Sequence, residues 1–146
     1  MLRLMKYLAV DFGEKTTGIA VSDTGGTMAF IRPSVVKTTK EAFWSAILDA
    51  IAREEPDAVV VGMPCTADGG ETLIIRQVRN FITSLQRRCM LPVYVMNETL
   101  SSFEAETMLR SGGKKAGQIR ATLDSAAAVR ILESFLALPL ERRTRV

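Results

Sequence analysis

The first part of the chain consists of short apolar runs separated by turn residues, a pattern typical of β-strands. Residues 5–10 form a largely apolar run that stops at Asp11, and this run predicts a buried strand. A second strand is predicted over residues 17–22 and a third over residues 28–31, after the Gly25-Gly26 turn. Because the turns between these runs are short, we expect the three strands to form an antiparallel meander.

The hydrophobic period changes to that of helices after residue 37. Thr38 and Glu41 have the spacing of a capping box, which predicts that a helix begins there and continues to the Glu55-Pro56 stop. The remaining predicted elements are a strand over residues 58–61, a helix over 74–85, a strand over 92–96, a helix over 101–110 and a last helix over 119–138.

The order of these elements predicts the fold class. Strands linked by helices favour parallel pairing, whereas the opening meander favours antiparallel pairing. We therefore expect a single α/β domain over residues 1–138, built on a mixed five-stranded sheet with helices on both faces. Residues 139–146 follow as a basic tail, which we expect to be disordered.

The amino-acid composition excludes several kinds of catalytic site. The 146 residues contain no histidine, which excludes Ser-His-Asp and Cys-His catalysis and metal sites built on imidazole. The two cysteines, Cys65 and Cys89, are too few for a cysteine-only zinc site, and we expect both to be reduced thiols. Any acid, base or metal chemistry must therefore rest on carboxylates.

The charge of the chain is compatible with a polyanionic partner. The net charge is +3, and 13 of the 19 basic residues are arginine, whose forked side chain suits phosphate contacts. Aromatic residues make up 6% of the chain, a fraction that does not indicate a base-stacking platform. The N-terminal apolar run is too short for a signal peptide, and no stretch is long enough to span a membrane, so we expect a cytoplasmic location.

Three carboxylates occupy positions next to predicted buried segments, where an unpaired charge is energetically unfavourable. Asp11 and Glu98 each follow a predicted buried strand, at the end where open α/β sheets bind their ligands. Asp124 precedes Ala128 by four residues and Ile131 by seven, so it shares the apolar face of the last helix. The alternatives are a turn residue for Asp11, a solvated loop residue for Glu98 and a helix N-cap for Asp124.

If these three carboxylates converge above the sheet, they form an oxygen-only site of the kind that binds Mg²⁺ or Mn²⁺. Two such ions about 3.5–4 Å apart support in-line displacement at phosphorus. If they converge, Asp11, Glu98 and Asp124 would be the metal-binding residues of an enzyme that acts at phosphorus.

Basic residues supply candidate contacts to a nucleic-acid backbone. One cluster falls within eleven residues that contain three glycines and no acid: Arg110, Lys114, Lys115 and Arg120. Three further candidates lie elsewhere in the chain: Lys15, Arg76 and Arg79. The alternative for the cluster is a solvated loop, and the order of its residues differs from that of a phosphate-binding Walker A loop.

Five segments, in order along residues 5–138, resemble the YqgF family, also called RuvX-like, whose members are described as pre-16S rRNA nucleases and as Holliday junction resolvases. The segments are LAVDFGEKTTGIAVSD (8–23), VVVGMPCTADGGE (59–71), VRNF (78–81), PVYVMNETLSSFEAETML (92–109) and LDSAAAVRILESFL (123–136).

The resemblance implies an RNase H-like fold, dependence on divalent metal and a role in trimming the 5′ end of small-subunit ribosomal RNA. It matches the proposed catalytic acids of the family to Asp11, Glu98 and Asp124. It also implies that four residues fall in motif loops near the site: Lys15, Asp68, Gly69 and Arg79.

The chain departs from the family pattern beside two of the acids. The family usually has Asp-Glu-Arg around its second acid, and this chain has Asn97, Glu98 and Thr99. The lysine common just before the last aspartate region is absent from residues 121–123. Loss of an adjacent cation weakens phosphate positioning more than metal binding.

Several functions remain open from the sequence. The expected partner is precursor ribosomal RNA or a ribosomal particle. We expect the protein to be a monomer or a weak homodimer and not to bind a membrane. The alternatives are a resolvase that acts on branched DNA with the same chemistry, and a non-catalytic RNA-binding assembly factor. The segment DFGEKTTG also resembles the phosphate loop of actin-like ATPases, but those proteins close two such domains around the nucleotide.

Overall fold

The computed structural model describes residues 4–65, 70–98 and 116–146, and for residues 116–124 it describes the backbone only. The strands are β1 (Tyr7–Asp11), β2 (Thr16–Ser22), β3 (Ala29–Val36), β4 (Ala58–Pro64), β5 (Val93–Glu98) and β6 (Thr144–Arg145). The helices are α1 (Lys40–Glu54), α2 (Leu73–Arg88) and α3 (Ala116–Leu136), followed by a 3-10 turn at Leu140–Arg142. The helix predicted over residues 101–110 lies outside the described residues.

The strands form one mixed sheet in the order β3-β2-β1-β4-β5-β6. β1, β2 and β3 pair antiparallel, as the short turns predict, and β1, β4 and β5 pair parallel. Val10 of β1 lies beside Val61 of β4, which lies beside Val95 of β5. The carboxyl ends of β1, β4 and β5 therefore meet at one edge of the sheet.

Alternation along the strands divides the core into two layers. Leu8, Val10 and Val61 are buried against α1 and α2, whereas Ala9 and Val60 are buried against α3. Burial of each large apolar side chain contributes about 1.5–3 kcal/mol, so both layers hold the sheet in place. This arrangement confirms the predicted α/β domain with helices on both faces of a mixed sheet.

The N-terminus of α1 differs by one residue from the prediction. Thr39, rather than Thr38, is the N-cap, and its side-chain oxygen accepts a hydrogen bond from the Ala42 backbone N–H at 3.1 Å. With this cap, Glu41 lies one position too early to close the capping box. The predicted stop is correct, because Glu55 adopts a left-handed conformation with φ 49° directly before Pro56.

The prediction of five strands and a disordered tail was wrong. Strand β6 pairs antiparallel with β5, with Thr144 beside Val95, and forms a sixth strand at the sheet edge. Arg143 holds the tail by donating to the Tyr7 hydroxyl oxygen at 3.0 Å and to the Leu136 carbonyl oxygen at 3.2 Å. The basic tail is ordered because its backbone completes an open strand edge and its arginine satisfies carbonyls at the end of α3.

No helix in the described ranges combines the length and the apolarity needed to cross a membrane.

Candidate active site

Two of the three predicted acids lie at the carboxyl edge of the sheet. Asp11 is the last residue of β1 and Glu98 is the last residue of β5, with β4 between them. Asp11 shares the strand face of Ala9, and Glu98 shares the strand face of Met96, which is the face covered by α3. Both carboxylates therefore belong to the same side of the sheet.

Gly62 of β4 leaves room between these two acids. A Cβ atom on Gly62 would lie 3.1 Å from Glu98 Oε2 and would collide with Ile131 Cδ1 of α3. The Glu98 carboxylate thus lies above the backbone of β4 rather than beside its own strand. Because neighbouring strands are about 4.8 Å apart, this orientation brings the carboxylate partway across the distance to β1.

The surroundings of Glu98 disfavour its charged form. Burial raises the pKa of its carboxyl above the ordinary value of 4.5. The strand end itself is held in place, because the Cys65 backbone N–H donates to the Glu98 carbonyl oxygen at 3.3 Å and the Cys65 thiol contacts the same oxygen at 3.5 Å. A partly desolvated carboxylate on a fixed strand end is a group whose charge a bound cation would stabilise.

The backbone of Asp124 lies in α3, which begins at Ala116. This start excludes the N-cap alternative, because Asp124 lies more than two turns inside the helix. The next residue, Ser125, is buried, and its hydroxyl donates to the Arg32 carbonyl oxygen of β3 at 2.7 Å. The side chain of Asp124 is outside the described residues, so its place on the Ala128 face stays a prediction from helical periodicity.

Among the described side chains, which do not include Asp124, no three carboxylate or thiol groups lie close enough together to hold a metal ion. The structure brings together the strand ends of Asp11 and Glu98. The complete three-acid site remains a prediction.

The predicted basic contacts are distributed around this edge. Lys15 is exposed in the turn between β1 and β2. Arg76 and Arg79 are exposed on the first turns of α2, where both pair with Glu71: Arg76 Nη2 lies 3.9 Å from its carboxylate, and Arg79 donates a hydrogen bond to it. An exposed ion pair contributes about 0–1 kcal/mol, so a phosphate could displace Glu71 from either arginine.

The remaining predicted basic and loop residues have no described side chains. Arg120 lies in α3, with only its backbone described. The others lie outside the described ranges: Arg110, Lys114, Lys115, Asp68 and Gly69.

The sequence analysis missed the parts played by Gly62 and Glu71. A glycine inside a buried strand indicates a close approach of another group, but the strand was predicted only to residue 61, so Gly62 was assigned to the loop that follows. Glu71 gave no such signal, because its pairing with Arg79 across eight residues depends on how the chain enters α2.

The fold is that of the RuvC nucleases. A Thermus thermophilus RuvC structure in complex with a Holliday junction substrate superimposes with a TM-score of 0.58 at 18% identity, over 97% of this chain and 99% of that chain. A second Thermus thermophilus RuvC structure gives a TM-score of 0.57 at 20% identity, over 97% of this chain and 100% of that chain. These likenesses support the RNase H-like fold that the family resemblance implied.

The family follows from closer relatives. The family model RuvX, described as Holliday junction resolvase, matches residues 5–138. A protein of Nitratidesulfovibrio vulgaris (strain DP4) is 54% identical over 96% of this chain and 99% of its own length. A protein of Lawsonia intracellularis is 50% identical over 97% of this chain and 100% of its own length, and both are named "Putative pre-16S rRNA nuclease". The chain belongs to the RuvX family, and its class is that of phosphodiester-hydrolysing nucleases.

Proposed function

We propose that this protein is a divalent-metal-dependent nuclease that processes the 5′ end of pre-16S ribosomal RNA, with Asp11, Glu98 and Asp124 as its catalytic residues. The names of its relatives support the substrate. The observation that carries the chemistry is the placement of the Glu98 carboxylate above Gly62, on the sheet face that Asp11 shares. Residues 1–138 are the proposed nuclease domain, and the cytoplasm is its proposed location.

The residues present fit a hard divalent cation. The donors are carboxylate oxygens, the protein has no histidine, and Glu98 is held where burial disfavours its charge. Such a site suits Mg²⁺ or Mn²⁺, and two ions are proposed. Bound cations of this kind supply a water of lowered pKa and stabilise the leaving oxygen. The protein's own part is to fix the carboxylates at the strand ends and to exclude side-chain bulk at Gly62.

The exposed basic residues are proposed to hold the phosphate backbone on either side of the reacting bond. Lys15 and the arginines of α2 lie on segments that adjoin the carboxyl ends of β1 and β4. The proposed contacts from described and undescribed segments together are Lys15, Arg76, Arg79, Arg110, Lys114, Lys115 and Arg120.

Cleavage of a precursor RNA that carries the 5′ leader of 16S rRNA tests the proposal. We expect Mn²⁺- or Mg²⁺-dependent cleavage that falls at least 100-fold in Asp11→Asn and in Glu98→Gln. Matched controls are Asp49→Asn and Glu133→Gln, the same chemical changes at exposed helical positions, which should stay within about twofold of wild type. Cleavage by Asp11→Asn at the wild-type rate would overturn the proposal.

A second candidate is resolution of Holliday junctions by the same chemistry. It is favoured by the description of the family and by the likeness to a RuvC that was solved in complex with a junction substrate. Competition between a four-way DNA junction and the precursor RNA for the same enzyme separates the two. Preferential cleavage of the junction would establish the resolvase.

A non-catalytic assembly factor is the remaining alternative. Its sequence basis is the departure at Asn97, which is exposed beside Glu98, and at Thr99, which lies outside the described residues. Full complementation of a deletion strain by Asp11→Asn would establish this alternative. Sedimentation of the purified protein tests the proposed monomer or weak homodimer.

A further inference from the structure

A cavity of about 540 Å³ opens between α1 and α2, on the sheet face opposite α3. Its size falls within the range of about 300–1,000 Å³ that is typical of small-molecule sites. The lining comes from Phe12, which directly follows β1, from the segment before α1, and from one side each of α1 and α2. This cavity, called the α1–α2 pocket below, is separate from the face that carries Asp11 and Glu98.

The inner wall of the α1–α2 pocket is aromatic. Four of the nine aromatic residues of the chain line it: Phe12, Phe43, Trp44 and Phe81. The rings of Trp44 and Phe81 are stacked, with centroids 5.3 Å apart and planes 11° from parallel. Trp44 and Phe81 are buried, at 9% and 4% exposed, and the Arg88 guanidinium lies 4.4 Å from the centre of the Trp44 ring. Phe12 is half-buried and is the most exposed of the four rings. A planar ring such as a nucleic-acid base would therefore contact this wall at Phe12.

The rim of the α1–α2 pocket is basic and rich in amides. Lys37 and Lys40 are exposed at its mouth, and the Lys37 ammonium lies 4.6 Å from the centre of the Phe12 ring. Gln77 and Asn80 of α2 face them across the cavity, and no carboxylate belongs to the described lining. Two ammonium groups suit a phosphate, and two amides can hydrogen-bond to the edge of a base.

The position of the α1–α2 pocket links it to the candidate active site. Phe12 directly follows Asp11, and strand alternation turns these two side chains to opposite faces at the same edge of the sheet. A nucleic-acid strand whose phosphodiester bond lies at Asp11 can therefore reach Phe12 by passing around the carboxyl end of β1.

We propose that the α1–α2 pocket binds one unpaired nucleotide of a single-stranded RNA, with its base against the aromatic wall and its phosphate between Lys37 and Lys40. The pocket would hold the single strand next to the cleavage site and would select substrates that have an unpaired segment there. The identity of the strand as substrate RNA rests on the proposed function.

Trp44 is the only tryptophan of the chain and reports directly on this site. The full-length protein is titrated with single-stranded hexaadenylate RNA in a chelator, and the RNA is checked for intactness afterwards. We expect saturable quenching of the Trp44 fluorescence. An abasic oligomer of the same length should cause less than half of this quenching, because it has phosphates but no bases.

Charge reversal tests the rim. The double variant Lys37→Glu/Lys40→Glu should weaken binding at least tenfold. The control Arg87→Glu/Arg142→Glu makes the same change in net charge at exposed positions outside the lining and should stay within about twofold. Asn80→Leu removes one exposed amide and should weaken binding about threefold or more, which keeps the test decisive if the double variant does not fold.

Three results would overturn the proposed nucleotide site: no saturable quenching, equal quenching by the abasic oligomer, or equal weakening by the rim and control variants. A dimer of the wild-type protein would also overturn it if Lys37→Glu/Lys40→Glu abolishes the dimer but leaves the quenching by hexaadenylate unchanged. That result would assign the face to a second copy of the chain. Failure of the proposed function is distinguishable from failure of the pocket. Wild-type cleavage by Asp11→Asn would overturn the proposed function, whereas the fluorescence titration is done in a chelator and measures binding without cleavage.

Discussion

At the scale of single residues, the candidate site depends on the absence of a side chain at Gly62 as well as on the carboxylates of Asp11 and Glu98. Gly62 lies between the strands of Asp11 and Glu98, and the space above it is taken by the Glu98 carboxylate and by Ile131. Any side chain at this position would compete with both. The glycine therefore sets how closely an acid from β5 can approach the acid at the end of β1.

Substitution of Gly62 by alanine tests this dependence. The added methyl group collides with Ile131 and approaches Glu98 Oε2 to 3.1 Å, so we expect a loss of about 1–3 kcal/mol in unfolding free energy and at least a tenfold loss of cleavage. Gly25→Ala is the matched control, since its Cβ would meet only Asp23 Oδ2 at an ordinary 3.6 Å. Denaturant unfolding and cleavage of the precursor RNA measure the two effects. Equal behaviour of both variants would remove the role assigned to Gly62.

Glu98 is expected to cost stability in the absence of metal. Burial raises the pKa of its carboxyl, so the folded state holds its charge less well than the unfolded state does. Glu98→Gln should therefore raise the melting temperature at pH 7 in chelator by about 2–4 °C, the shift that roughly 1 kcal/mol produces in a domain of this size.

The sign of the pH dependence follows from the same shift. Below the ordinary carboxyl pKa of 4.5, both states bind the proton and the penalty is absent. As pH rises above 4.5 the penalty grows, and it is complete once the pH exceeds the elevated pKa of the folded state. The advantage of Glu98→Gln should thus be present at pH 7 and vanish near pH 3, as measured by calorimetry. A melting temperature lowered by Glu98→Gln at pH 7 would contradict this account.

At the scale of secondary-structure elements, the segments with the strongest local patterns were predicted and those that depend on distant partners were not. The apolar run of β1 and the helical spacing of the apolar residues in α2 predicted both elements from the sequence. Strand β3 was predicted only to residue 31 but continues to Val36. Arg32 and Pro33 interrupt its apolar pattern. The proline is tolerated because one side of the β3 backbone has no strand partner among the described residues, and Arg32 forms an ion pair with Glu54 of α1 at 3.0 Å.

The C-terminal tail is a second element that local sequence pattern did not predict. No local pattern in Thr144–Arg145 indicates a strand, because the pairing exists only when β5 presents its free edge. Arg143 then becomes structural: its guanidinium lies 4.9 Å from the centre of the Phe135 ring and donates to backbone carbonyls at the end of α3. Sequence reasoning assigned a charged run to solvent, and the structure assigns one of its arginines to the closing contacts of the fold.

Arg143→Ala tests the closing contacts. Loss of the hydrogen bonds to Tyr7 and Leu136, and of the contact with Phe135, should lower the unfolding free energy by about 2 kcal/mol. Arg142→Ala removes an exposed arginine one residue earlier and should change it by less than about 0.5 kcal/mol. Denaturant unfolding compares the two. If both variants unfold at the wild-type midpoint, the tail does not stabilise the domain.

At the scale of the whole molecule, the sheet separates two kinds of chemistry. Asp11 and Glu98 lie on the α3 face and the aromatic α1–α2 pocket lies on the other, and the neighbours Asp11 and Phe12 connect the two faces at the carboxyl end of β1. The sequence was sufficient for the fold class and for the strand ends that carry Asp11 and Glu98. It was insufficient for the pocket, since 6% of aromatic residues says nothing about how many of them gather in one place.

The central claim is that Asp11, Glu98 and Asp124 share divalent metal, and diffraction from a crystal soaked in Mn²⁺ tests it most directly. The account predicts anomalous density above Gly62, within about 2.5 Å of carboxylate oxygens from all three residues. Glu98→Gln should reduce this density, whereas Glu133→Gln should leave it unchanged. Manganese bound elsewhere, or carboxylates that point to separate regions with no ion among them, would contradict the account.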